Sequence, residues 1–385
     1  MPLTGGAAAR KTPTTQEVPM PEPAIVYYAA PGTRSQDNNN LSKVARLCDA
    51  VGLKRIVKKN ELTAVKLHFG EFGNDTHLNP TLVRQVVDKV IAAGGKPFLT
   101  DTTTLYSGSR RNAYDHIQTA YRHGFAPSVV NAPVILADGL YGENDVPVRI
   151  RGKHFSEVHI ATEIRRAPSM VVLSHFKGHE MGGFGGAIKN MAMGGAAVRG
   201  KREQHNTHVQ IAAKTCVGCG RCVRVCPQKA LALREKKCCV DIGRCIGCFE
   251  CMTVCAPKAI SIDWATEMEP FVERMVEYAW GVLKGRQKRM CFINFALNVT
   301  PDCDCVPWSD MPMVADQGIL ASADPVALDQ ACFDLVNKAP CLDSGMDKAA
   351  QDKFTARWPH TRGEVQLIHG EALGMGTRRY VLKKV

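Results

Sequence analysis

Eight cysteines fall in two equal runs, Cys216, Cys219, Cys222, Cys226 and then Cys245, Cys248, Cys251, Cys255, each spaced C-x2-C-x2-C-x3-C. The second run repeats the first 29 positions later, and the repeat extends past the thiols, with Cys226-Pro-Gln-Lys-Ala-Leu-Ala-Leu superposing on Cys255-Ala-Pro-Lys-Ala-Ile-Ser-Ile. Three thiolates at this spacing can wrap one corner of an iron–sulfur cubane and leave one iron for a distant cysteine, which in bacterial-type two-cluster ferredoxins comes from the other run. The spacing predicts two 4Fe–4S clusters, one on Cys216, Cys219, Cys222 and Cys255, the other on Cys245, Cys248, Cys251 and Cys226. Zinc modules also use thiolate pairs, but they usually separate two C-x2-C pairs by about a dozen residues or more, which makes zinc the weaker reading. Pro follows Cys226 directly whereas Ala256 precedes Pro257, which predicts a shifted loop after Cys255 with no ligand lost.

A second polar constellation is Ser174-His175-Phe176-Lys177-Gly178-His179-Glu180, followed by Gly182, Gly183, Gly185, Gly186, Lys189, Asn190 and later Lys201 and His205. An apolar strand that ends in a glycine-rich turn opening a helix exposes amide groups to a ligand, and the helix dipole favours an anion there. Lys177 and Lys189 would supply charge, and Gly183, Gly185, Gly186, Lys189, Asn190 and His205 are the candidate cofactor-binding residues. The motif is neither a P-loop nor a dinucleotide fingerprint, so an additional anionic cofactor or a metal is the open expectation. His175, Lys177 and His179 are the candidate catalytic groups; on a helix the two histidines, four apart, would share a face as metal ligands, although Gly178 and the preceding strand oppose that helix. Equally, the turn and its histidines could simply pack against a sheet. Further polar loops follow other expected strand ends: His68 to Glu71 with His77, Asp101 to Thr104, Arg110 to Asn112, and Asp302-Cys303-Asp304-Cys305 with Trp308 and Asp310. Open α/β sheets gather ligands at such carboxyl ends. The C-x-C pair reads as metal ligands or as a turn with reduced thiols, and Cys238-Cys239 as packing.

Positioning these groups requires a scaffold, and the chain alternates strand and helix signals. Strands are expected at 24–28, 64–69, 97–100, 134–137, 170–175 and 290–295, with a last pair at 365–369 and 380–383. Helices are expected at 41–50, 81–93, around 112–122, 270–283 and 325–336, the last with Asp324 as N-cap. This alternation predicts an α/β fold with a mixed or parallel sheet flanked by helices. The expected division is a disordered tail at 1–23, a discontinuous α/β domain at 24–213 and 264–385, and an inserted α+β ferredoxin domain at 214–263.

The 385 residues, 45% hydrophobic and 6% aromatic, suit a globular protein with a sizeable core. No apolar run approaches the roughly 18 residues of a membrane span, and the N-terminal stretch lacks the continuous apolar region of a secretory signal. A cytoplasmic location with reduced thiols is therefore expected, and oxygen-sensitive clusters suggest an anaerobic source. The formal charge of +12 comes with no nucleic-acid motif. Ten of the basic residues lie between Arg199 and Lys237, against Glu203 and Glu235. That patch reads either as a solvated face or as a dock for an acidic redox partner.

His175-Phe-Lys-Gly-His179, Gly183-Phe-Gly-Gly-Ala-Ile-Lys-Asn190 with Met193-Gly194, the cysteine runs after Gly200-Lys201 and His205, and Cys303-Asp-Cys305 with Ala321-Ser-Ala-Asp-Pro-Val-Ala-Leu-Asp329 resemble the ferredoxin-containing proteins of domain of unknown function 362. The matching motifs run from residue 64 to 336. The resemblance implies an α/β domain with an inserted two-cluster ferredoxin, found mostly in anaerobic bacteria and archaea, and brings no settled reaction. The expected function is single-electron transfer to a partner protein. More than three hundred residues beyond the ferredoxin unit motivate an alternative, an oxidoreductase whose clusters feed a substrate or cofactor near His175, Lys177, His179 and Lys189. A third reading is metal delivery or scaffolding.

Overall fold

The computed structural model describes residues 22–106, 108–206, 208–245, 249–262, 264–342 and 351–385. The tail expected at 1–23 therefore lies almost wholly outside the described residues, as does Cys248.

One seven-stranded sheet organises the chain. Its strands are β1 (Ala24–Ala29), β2 (Leu62–Lys66), β3 (Lys96–Thr100), β4 (Ser169–His175), β5 (Met290–Ala296), β6 (Gly318–Ser322) and β7 (Tyr380–Lys384), in the order β7-β1-β6-β5-β4-β2-β3. Only β6 runs against its neighbours; the β1–β7, β5–β4, β4–β2 and β2–β3 pairs are parallel. The sheet is thus mixed, and strands from both sides of the cysteine runs build it. Helices cover both faces, which is why the inner strand β4 is apolar from Met170 to Leu173 and buried at all seven positions. Along β4, Val171 and Leu173 join one core with helices α1 (Asn40–Ala50) and α2 (Pro80–Ala92), through Val44, Leu47, Val83 and Val87. Met170 and Val172 face the opposite core, which the helices α4 (Ala187–Gly195), α6 (Trp264–Leu283) and α7 (Pro325–Lys338) complete with Ile188, Met191, Met275, Val276 and Leu328. Between them α3 (Ala113–Arg122) and α5 (Val198–His205) flank the sheet's loops. Side-chain caps mark several helix starts: Asn39, Asn79, Asn112 and Asp324 each accept an amide of the first turn.

Two sequence expectations fail. Val365 to His369 is no strand; it opens α8 (Val365–Ala372), whose Gln366, Leu367 and Gly370 are buried at helical spacing. Gln366 donates to the carbonyls of Gly182 and Phe184 at 2.8 and 2.9 Å, so long-range packing overrides the local β-branched signal. The run 134–137 lies along β3 through Ile135 and Ala137 amides but forms only one bridge, Leu99 to Val134, beside a proline that has no amide to donate. Helix α6 starts six residues before the expected Pro270, which sits inside it and leaves one backbone bond unmade.

Residues 209–262 fold as a small twofold-repeated unit. Val209–Ile211 pairs with Ile260–Ile262, Leu231–Arg234 pairs with Lys237–Val240, and short helical turns occupy Arg221–Val225 and Glu250–Thr253. Its interior is built largely of thiols with Val209, Leu231, Ala259 and Ile260.

Candidate functional site

Two thiol-lined cavities lie in this small unit. The first is lined by Cys216, Cys219, Cys222 and Cys255, with Cys238 beside them. The second is lined by Cys226, Cys245 and Cys251; Cys248, assigned to it from spacing, is outside the described residues. The runs therefore exchange their last cysteines. Amides aim at sulfur: Cys238 at Cys216 Sγ (3.4 Å), Ala230 at Cys226 Sγ (3.3 Å) and Ala259 at Cys255 Sγ (3.2 Å). Backbone donors from Cys238 and Gly218 hold the Cys216 thiol below its ordinary value. Donors aimed at sulfur, with four converging thiols, suit a thiolate-ligated cluster. The loop shift expected after Cys255 is absent: Lys229 and Lys258 take the same left-handed conformation (φ 50° and 52°), and the residue after each bonds the repeat's last sulfur. Cys238 is not an inert spacer, because its sulfur lies 3.4 Å from Cys222 Sγ; burial keeps its thiol protonated.

A second site forms where β2, β3, β4 and β5 end on one edge of the sheet, and the loops that follow them interlock. The Glu71 amide donates to the Asp304 carbonyl at 2.8 Å and the Tyr106 hydroxyl lies 3.2 Å from the Cys305 carbonyl. Arg110 anchors the first two loops, pairing with Glu71 at 3.0 Å and touching His68 Nε2 at 2.9 Å and Tyr106. Below them Lys66 pairs with Asp101 (2.9 Å) and donates to Asn190 Oδ1 (2.6 Å), while Asn190 Nδ2 reaches the Leu173 carbonyl.

At the end of β4, Lys177–His179 and Gly183–Gly185 form a short hairpin rather than the helix that would have placed both histidines on one face. Gly178 is required there: its amide bonds Thr300 at 2.8 Å, and a Cβ would run into the Pro301 carbonyl. The hairpin thereby seats directly on the loop 300–305. His175 Nδ1 lies 3.0 Å from Asp304, while its Nε2 faces the carbonyls of Leu297 (2.9 Å) and Asn298 (3.0 Å), a set of acceptors that needs donors on both nitrogens. Lys177 Nζ lies 3.2 Å from the same carboxylate. Burial opposes the charge on Asp304, but His175 and Lys177 outweigh it and hold the carboxyl well below the usual range. Burial likewise pulls Lys177 down, and Asp304 with Cys303 more than restores it.

His179 points away from His175, toward the thiols. Its Nδ1 accepts the amides of Met181 (3.0 Å) and Gly182 (2.9 Å), which assigns the ring proton to Nε2, 3.9 Å from Cys305 Sγ. The nearest ligand atoms of His179, Cys303 and Cys305 lie within 4.8 Å of one another. Lys189 Nζ is 3.8 Å from Cys303 Sγ. The hydrogen bond from Cys305 lowers the Cys303 thiol, Lys189 and Lys177 adding to it, so the pair's negative charge rests on Cys303. Glu180 stands nearby with its carboxyl raised to about 7 by burial and by the Cys303 charge.

The helix terminus does not receive an outside anion. The first amides of α4, Ala187 and Ile188, donate to Asp329 of α7 at 2.8 and 2.9 Å, and a Cβ on Gly186 would strike that carboxylate. Asn294 also donates to it at 2.6 Å, and burial raises the carboxyl to about 6. Of the candidate cofactor residues, Gly183, Gly185 and Gly186 are buried in packing, Asn190 is spent on Lys66 and β4, and Lys189 alone faces the thiols. His205 lies elsewhere, between the rings of Phe249 (5.6 Å) and Phe271 (5.2 Å). Lys201 leaves the expected basic patch: it is buried, bonded to Thr102 and the Ala196 carbonyl at 2.6 Å. In the sequence Asp304 reads only as part of a C-x-C loop and Asp329 only as the end of a motif, because a buried acid's partner cannot be read from its neighbours in the chain.

The family model described as Domain of unknown function (DUF362) matches residues 63–334. No curated protein matches the sequence. Among solved structures, the lactate racemase apoprotein from Thermoanaerobacterium thermosaccharolyticum superposes with a TM-score of 0.39 at 12% identity, over 71% of this chain and 51% of that one. A structural-genomics protein from Thermotoga maritima gives 0.36 at 9% identity, over 72% and 54%. The chain thus spans about half the length of the structures it matches.

Proposed function

The chain belongs to the DUF362 family, and we propose that within it the chain acts as an electron-transfer protein carrying two 4Fe–4S clusters. The observation that carries this reading is the exchange of the last cysteines: Cys255 completes the cavity of the first run and Cys226 that of the second. Cys216, Cys219, Cys222 and Cys255 would hold one cluster, and Cys245, Cys248, Cys251 and Cys226 the other. When bound, such clusters supply single electrons at potentials set by charge, exposure and hydrogen bonds to sulfur. The amides of Ala230, Cys238 and Ala259 provide those bonds here. Around the first cavity Lys214, Arg221, Arg224, Lys229, Arg234 and Lys236 are exposed and form a face suited to an acidic partner protein.

A second reading, an oxidoreductase with its own substrate in the α/β domain, draws support from the thiols, His179, Lys177 and Lys189 meeting at the sheet edge. Metal delivery through His179, Cys303 and Cys305 is disfavoured, because a ligating imidazole gives its other nitrogen's proton to an acceptor, whereas His179 Nδ1 receives two amides.

Iron, sulfide and zinc analysis of anaerobically purified protein tests the proposal. Iron and sulfide near eight each fit two cubanes, together with loss of signal in Cys219→Ser. Zinc without sulfide refutes it.

A further inference from the structure

Cys303 and Cys305 belong to neither cluster set, yet they face each other at the crevice where four strand ends meet. Cys303 is 2% exposed, and Cys305 is partly open to solvent. Their sulfurs lie within 4.8 Å of each other. Residues two apart span at most about 7 Å, the upper limit of the Cα separation that a disulfide bridges. Two lysines, Lys177 and Lys189, favour a thiolate there, and the Nε2 proton of neutral His179 points at Cys305. Those lysines and that proton also repel a metal cation. The small unit borders the α/β domain: Phe249, which lines the second thiol cavity, packs on His205 of α5.

We propose that Cys303 and Cys305 are a reversible dithiol–disulfide couple that gathers two single electrons from the ferredoxin unit and hands them as a pair to a small disulfide. The inference rests on the electron-transfer reading for its electron source; a low-potential one-electron donor protein feeds the clusters. On reduction the Cys303–Cys305 bond breaks, taking up two electrons and one proton to leave a thiolate on Cys303 and a thiol on Cys305. In turnover that thiolate attacks the substrate disulfide and expels one substrate thiolate. Cys305 then displaces the second substrate sulfur, which departs with the Cys305 proton, and the internal disulfide is restored. Electrons and protons balance, one disulfide being reduced for each one formed.

The test uses anaerobic full-length protein. After treatment with oxidised glutathione and removal of excess, the peptide containing Cys303 and Cys305 should lose about 2 Da and resist alkylation. Reductive titration with reduced methyl viologen should then take up about four electrons per chain, two for the clusters and two for the disulfide. The double variant Cys303→Ser/Cys305→Ser, with iron content equal to wild type as proof of folding, should take up about two, neither an internal disulfide nor a glutathione mixed disulfide being able to form at these positions. In Cys219→Ser the disulfide should be reduced by viologen at least tenfold more slowly, while dithiothreitol reduces it at the wild-type rate. Equal electron uptake in wild type and the double variant, or thiols that stay alkylatable after oxidation, overturns the inference and leaves the electron-transfer reading intact. Absence of iron and sulfide refutes that reading instead, while the mass change still reports on the thiol couple.

Discussion

Replacing Asp304 by Asn removes the carboxylate that pairs with both His175 and Lys177. All three side chains are buried, at 1%, 3% and 7% exposure for Asp304, His175 and Lys177. Asn is nearly isosteric, so no cavity opens, but the cation of Lys177 and the donors of His175 are left without their counter-charge. Breaking a buried pair by removing one partner costs about 3–5 kcal/mol, a large fraction of the roughly 5–15 kcal/mol by which a domain is stable. At roughly 2 °C per kcal/mol for a chain larger than 150 residues, the midpoint of thermal unfolding should fall by about 6–10 °C. Differential scanning calorimetry under anaerobic conditions is the assay, with Asp302→Asn as comparison. Asp302 is only partly buried and accepts a single hydrogen bond from Trp308 at 2.9 Å, so its loss should cost about 1 kcal/mol. If Asp304→Asn unfolds within about 2 °C of wild type, the buried triad does not hold the crevice together and the argument from its geometry fails.

Three further outcomes follow from the same structure. Gly178→Ala should separate the hairpin from the 300–305 loop, and proteolysis within that loop should accelerate in the variant while far-ultraviolet circular dichroism stays unchanged. Lys189→Ala should move the midpoint pH for alkylation of Cys303 upward, since Lys189 lies 3.8 Å from its sulfur; an unmoved profile by iodoacetamide mass mapping would show that the thiolate is stabilised elsewhere. His116 and His205 are both lowered to about 3, chiefly by burial, so the native state holds them neutral. Their contribution is complete above about 6.5 and is lost as pH falls toward 3. Denaturant unfolding between pH 6.5 and 5.5 should lose about 2 kcal/mol from the pair, and His116→Gln should remove about half of that loss.

Interlocking loops explain why the crevice stays closed to simple inspection of the chain. The carboxyl ends of β2 to β5 share an edge because those strands are parallel neighbours, and each loop donates a backbone or side-chain bond to the next, from Arg110 to Glu71 and from Glu71 to Asp304. The catalytic candidates His175 and His179, four positions apart, end in different surroundings because one closes a strand and the other begins the return of a hairpin.

Local chemistry was legible in the sequence alone: the two cysteine runs with their 29-residue repeat, the cap at Asp324, the strands β1, β3, β4 and β5, and the polar loops that follow β2 to β5. These depend on neighbours within a turn or two of chain, where spacing dictates geometry. Tertiary structure decided the rest. Asp304 meets His175 across 129 residues and Asp329 caps α4 across 142, so a carboxylate from another element takes the anion's place. Val365 becomes helical because its buried face packs on α6, and Lys201 turns inward to Thr102. In each case burial makes an unpaired charge or amide costly, and the partner that removes the cost is supplied by sheet order, which no local pattern encodes.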